Sequence, residues 1–150
     1  MMIRKVVPLA IVAALLFPAL AVAADPAPDM KGRWIGKTHS IIAGKGGHWP
    51  TSPGTLEKPA LLEKDLVMEI TGQQDRRFWG LTTISGGGEK TEEPFIGELF
   101  GKDSRKILVV DTDGYIWGEI DGDTWSFCYG HASGKGQSSV VSCTEVKRAR

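Results

Sequence analysis

From residue 32 onward, apolar and polar residues alternate with a period of two over short runs, and no run long enough for a helix carries a helical period. Leu66, Met68 and Ile70 alternate with Val67, Glu69 and Thr71, ending at Gly72-Gln73-Gln74-Asp75. Seven other runs read the same way: Gly32 to about Ile42, Arg76 or Arg77 to Ser85, Phe95 to Phe100, Ile107 to Val110, Tyr115 to Ile120, Trp125 to His131 and Ser139 to Lys147. Three of them lie between residues 107 and 131, joined by Asp113-Gly114 and Asp121-Gly122. Asp-Gly suits a two-residue type I′ turn, so hairpins are expected there. Eight short strands in meander order predict an all-β fold: an eight-stranded antiparallel up-and-down barrel, which closes without exposed edges, with a β-sandwich as the alternative.

The same pattern places Trp34, Gly36, Thr38 and Ser40 on one face of the first strand. Residues 43–59 break the pattern with four Gly and three Pro, and such a long irregular stretch is either a lid or binding loop or a disordered segment. Trp79-Gly80-Leu81, Ile96-Gly97-Glu98-Leu99 and Trp117-Gly118-Glu119-Ile120 repeat an in-strand glycine, as expected where a sheet bends to close. If these glycines face inward, Trp79 and Trp117 point outward and form a surface for a partner or a second copy. If they face outward, the tryptophans fill the interior or line a ligand cavity.

The first 31 residues have a different character. Arg4 and Lys5, an apolar core from Val6 to Leu20 and Ala21-Val22-Ala23 read as a secretory signal peptide over 1–23 rather than a retained membrane anchor. Residues 24–31 follow as a proline-rich extended leader, and 32–150 form the barrel domain. A periplasmic or secreted location follows, with no membrane attachment after cleavage. Without the signal, 16 Lys and Arg remain of 18, against 18 Asp and Glu. Their scatter along the chain excludes a nucleic-acid surface.

An exported chain can form disulfides, and Cys128 and Cys143 are the two cysteines. In an antiparallel pair the partners' numbers have a constant sum. Opposing these two cysteines centres the turn on Ser133 to Gln137 and also pairs Tyr129 with Ser142 and His131 with Val140. A cross-strand disulfide is therefore expected. Its closed loop is worth about 3 kcal/mol by the chain-entropy argument.

Candidate chemistry is sparse. Asp111-Thr112-Asp113-Gly114 and Asp121-Gly122-Asp123 lack the spacing of an EF-hand, and successive turns of a meander lie at opposite ends, so they read as turns. His39, His48 and His131 match no short metal motif. Glu92-Glu93 reads as a solvated loop. No nucleophile elbow or other catalytic setting occurs, so no enzyme activity, metal or cofactor is expected.

Gly32-Arg33-Trp34, opening the first of eight meander strands, resembles the Gly-x-Trp opening of lipocalins and avidins, the calycin-like barrels. The chain length and the absence of a C-terminal helix are more similar to the avidin side. The resemblance implies an up-and-down barrel, often oligomeric, with a ligand mouth at one end. The polar set with which avidins hold biotin is not matched: Trp34 is followed by Ile35-Gly36-Lys37-Thr38-His39-Ser40, where only Thr38 and Ser40 supply hydroxyls. The expected activity is binding of a small, partly apolar molecule at a mouth beneath residues 43–59. Trp34, Trp49, Trp117, Trp125 and Tyr129 would give apolar contact, and Thr38, Ser40, His48 and His131 polar contact. The alternative is a protein-binding module, such as an exported protease or lysozyme inhibitor that inserts its leader, residues 24–30.

Overall fold

The computed structural model describes residues 26–132 and 138–150. The expected signal segment and the turn expected at Ser133 to Gln137 fall outside these residues. Within them the chain is all strand and loop: β1 (Gly32–Gly44), β2 (Ala60–Gln74), β3 (Arg77–Gly86), β4 (Glu89–Phe100), β5 (Lys106–Val110), β6 (Gly114–Asp121), β7 (Thr124–Ala132) and β8 (Ser138–Arg148). Each pairs antiparallel with its sequence neighbour and β8 closes on β1, giving an up-and-down barrel with no free edge.

Period-two alternation sets the core. Trp34, Met68, Leu99, Ile107, Val109, Trp125 and Val146 are fully buried inside, while charged Lys37, Glu63, Asp65, Glu69 and Glu145 face out. The in-strand glycines face inward, in phase with Phe78, Thr82, Phe95, Leu99, Ile116 and Ile120. Neighbouring chain crowds them: a Cβ on Gly80 would lie 2.0 Å from the Glu69 carbonyl oxygen, and one on Gly118 2.2 Å from that of Ser126. Trp79 and Trp117 consequently point outward.

Cys128 faces Cys143 and they are disulfide-bonded, with Tyr129 opposite Ser142 and His131 opposite Val140 in the expected register.

Four local expectations are corrected. Strands run from 5 to 15 residues, longer than the alternation suggested. Glu89 to Pro94 is strand, because Gly87 and Gly88, with φ of 62° and 83°, make the type I′ turn that folds β4 back on β3. Asp113-Gly114 is not a type I′ turn: Asp111 Oδ1 accepts from the amides of Asp113 (3.3 Å) and Gly114 (2.6 Å). Gly114 begins β6, where a Cβ would lie 2.4 Å from the Tyr129 ring. In the next hairpin Asp121 pairs with Thr124, so the turn centre is Gly122-Asp123, one residue later than expected, with only Gly122 at positive φ (59°).

One end of the barrel is shut by the leader. Met30 is fully buried beneath Trp34, whose indole N–H donates to the Met30 carbonyl at 2.9 Å. Gln73 bonds the Met30 amide (2.6 Å) and the Pro28 carbonyl (2.9 Å). Arg148 covers the Trp34 ring at 4.3 Å and donates to the carbonyls of Asp29 and Lys31.

Candidate functional site: the lidded end of the barrel

At the other end, residues 45–59 fold over the opening. The loop leaves β1 through a bond from the Gly44 amide to the Gly54 carbonyl (2.8 Å), and Gly46 to Trp49 makes a tight turn closed at 2.9 Å. That turn drives Trp49 into a small apolar cluster with Ile42 and Val140, against Leu62 and Tyr129. His48 goes in beside it.

The lid is tied down by charges on inward-facing strand positions. His48 Nε2 lies 2.9 Å from Glu93 Oε2, both side chains about 90% buried, and His48 Nδ1 bonds Thr91 Oγ1 at 2.5 Å. Buried Lys64 donates to the His48 carbonyl (2.8 Å) and to Glu89 (2.5 Å), with its Nζ 4.6 Å from the Trp49 ring centre. Thr51 donates to Glu89 at 2.7 Å. These bonds hold the Glu89 carboxyl below the usual range, the Lys64 bond most strongly.

A second polar group flanks the first. The Tyr129 hydroxyl donates to Asp113 Oδ1 at 2.7 Å, and His131 reaches Asp113 (3.2 Å) and Ser138 (2.9 Å). Burial, then the Asp113 bond and neighbouring carboxylates, push the Tyr129 hydroxyl far above its ordinary value, so it stays a donor. Glu93, Asp111 and Asp113 carry carboxylate oxygens within 4.8 Å of one another. Burial, with Asp111 and Asp113 adding repulsion, raises the Glu93 carboxyl. Every member of this acidic group has a protein partner: His48 and the Thr112 amide for Glu93, the Gly114 amide for Asp111, Tyr129 and His131 for Asp113.

Beneath the lid lies a cavity of about 40 Å³. At roughly 10–15 Å³ per water this is space for about three waters. Its walls are mainly apolar, among them Leu66, Met68, Ile84, Ile116, Phe127 and Val140, roofed by His48 and Trp49. Four buried side-chain polar atoms lack a hydrogen-bond partner among the described residues, and two of them, Ser40 Oγ and Ser142 Oγ, line this cavity. The two serines face each other across the β1–β8 seam that closes the barrel. Thr38, by contrast, is satisfied by the Lys64 backbone, accepting from its amide at 3.0 Å.

Of the expected contact residues, the cavity gathers Thr38, Ser40, His48, Trp49 and Tyr129, and His131 stands at the rim. Three are elsewhere. Trp117 is on the outer wall, 53% exposed, because its neighbour Gly118 takes the inward position. Trp34 and Trp125 are buried toward the leader end, packed edge to face at 6.1 Å, with Phe78 edge-on to Trp125 at 6.2 Å. His39 is outside, paired with Glu63 at 2.9 Å.

Sequence reasoning missed Lys64, Glu89 and Glu93. A signal for them existed: Lys64 is in phase with Leu66, Met68 and Ile70, and Glu93 with Phe95 and Leu99, which puts opposite charges on the core face. No family model, curated protein or solved structure matches the chain.

Proposed function

We propose that the protein is a binding barrel that holds one small, mostly apolar molecule beneath the lid, its single polar head group hydrogen-bonded to Ser40 and Ser142. The carrying observation is that pair of unpartnered hydroxyls in a mainly apolar cavity, whose other polar lining residues include Thr38, His48, Asp111 and Tyr129, all four already hydrogen-bonded. A buried hydroxyl without a partner costs about 1–3 kcal/mol, and a bound group that bonds both removes the cost. The head group is uncharged, since Ser40 and Ser142 offer no counter-charge and every described ionic group above them is already paired. The closed cavity is far below the roughly 300 Å³ of an ordinary ligand pocket, so anything larger than a few atoms enters by lifting Trp49 and occupying its place.

The lid suits this task. Its anchors are the Lys64–Glu89 pair and the His48–Glu93 contact, which solvent can replace when the loop opens, while the walls belong to the closed sheet and stay put. A ligand mouth is also what the resemblance to calycin-like barrels implies. The inhibitor reading requires its inserted arm to come free, yet Met30 and Pro28 are bonded into the barrel base. That docking favours the small-molecule reading.

The test is a titration of the mature protein with a panel of uncharged aliphatic and aromatic alcohols and amides, followed by intrinsic tryptophan fluorescence and melting temperature. Binding should shift both for the wild type and weaken at least tenfold in Ser40→Ala with Ser142→Ala. A panel without any saturable response, or responses equal in the double variant, would overturn the assignment.

A further inference from the structure

The outer wall opposite the cavity's chemistry is apolar where a soluble barrel is ordinarily polar. Across β3 to β6 the register sets Trp79, Ile96, Val110 and Tyr115 side by side in one unbroken row, with Leu108 opposite Trp117 in the row below. All six are exposed, from 37% at Val110 to 67% at Ile96. We infer that this face is the interface through which two copies of the chain form a two-fold dimer.

Size is the first ground. Six large apolar or aromatic side chains, each at least 37% exposed, stand together on one wall, and contiguous apolar surface on this scale marks an interaction site rather than scattered surface residues.

Charge is the second. The residues bordering the rows are Arg77 opposite Glu98 and Lys106 opposite Glu119, two of each sign. A second copy of the same balanced border brings no net repulsion, and without residues 1–23 the chain carries 16 Lys and Arg against 18 Asp and Glu, a formal charge of only −2. A strongly charged partner finds no matching field here.

Shape is the third. A shallow groove lies along Arg77, Trp79, Ile96, Leu108 and Val110, while Tyr115 and Trp117 project from β6 on the far side. A two-fold axis between β4 and β5 sets the β6 ring pair of each copy over the groove of the other, Tyr115 against Trp79 and Trp117 over Arg77. Such a contact is isologous and closes at two copies.

Sedimentation equilibrium of the mature protein from about 1 to 100 μM tests this, with iodide quenching of tryptophan fluorescence at both ends of the range. The wild type should go from monomer to dimer mass and its quenching should fall as Trp79 and Trp117 become covered. Ile96→Lys with Val110→Lys, both outward positions, should weaken association at least 100-fold while keeping the far-ultraviolet circular dichroism of the wild type; Tyr115→Arg serves if that double variant misfolds. A wild type that stays monomeric throughout, or a folded variant that still dimerises, overturns the interface. A monomeric wild type that co-sediments with phosphatidylcholine vesicles would give the face to lipid instead.

Discussion

A side chain that costs stability where it stands marks a position whose worth lies in something other than the fold. Ser40 and Ser142 are such residues, with hydroxyls facing apolar walls and no partner. Replacing either by Ala should raise the stability of the empty protein by about 1 kcal/mol, read from chemical denaturation, and lower affinity for the ligand; loss of stability would contradict the role. Glu93 is a second residue of this kind. Its raised carboxyl means that the folded state keeps its proton to higher pH than the unfolded chain, so stability attributable to Glu93 is greatest at low pH and falls as pH climbs from the ordinary carboxylate range toward the raised value. The difference in unfolding free energy between wild type and Glu93→Gln should shift toward the variant across that window and be flat below it. An unchanged difference from acid to neutral pH would show that Glu93 does not titrate abnormally. The serine pair could not be read from the chain, because Ser40 and Ser142 are ordinary strand residues until the β1–β8 closure sets them face to face, whereas Glu93 shares the phase of Phe95 and Leu99 and only its carboxylate neighbours were hidden.

Among the elements, the lid and the β3–β4 hairpin decide how the site is built. Trp49 contributes most of the lid's apolar burial. Trp49→Ala should cost about 3 kcal/mol and enlarge the cavity, speeding entry and exit of a ligand in stopped-flow fluorescence. Equal exchange rates would mean that the loop does not gate the barrel. Gly114→Ala should also destabilise, by about 1–3 kcal/mol, because its methyl meets the Tyr129 ring. A wild-type melting temperature in that variant would remove the steric reason for glycine there. The first six residues of β4 escaped the sequence pattern for a local reason. Glu89 to Pro94 holds no apolar side chain but proline, yet it pairs with β3 from Leu81 to Gly86. Pro94 is accommodated because the stretch paired with β5 begins only at Ile96. The Asp-Gly turns misled for a related reason, since Asp111 caps its own turn and leaves Gly114 to relieve crowding rather than to adopt positive φ.

At the scale of the whole molecule, the barrel was legible because one face of nearly every strand is apolar and the meander order leaves closure as the way to pair β1 with β8. The disulfide was legible from arithmetic alone, because hairpin register fixes which residues face each other. The direction of Trp117 was not, since an aromatic next to an in-strand glycine satisfies either face until the barrel's curvature selects the smaller residue for the inside. Reduction of Cys128–Cys143 should destabilise the barrel by about 3 kcal/mol without opening it, as the ladder from Thr124 to Ala132 pairs along its length independently of the bond. Whether the barrel carries a ligand is answered most directly by native mass spectrometry of the protein purified gently from its source cells and compared with the same sample denatured. A small discrete mass accompanying the native protein, absent after denaturation and lost from the Ser40→Ala, Ser142→Ala variant, is the predicted result. A bare polypeptide mass in wild type and variant alike, from a source in which the protein is fully folded, would contradict the binding barrel.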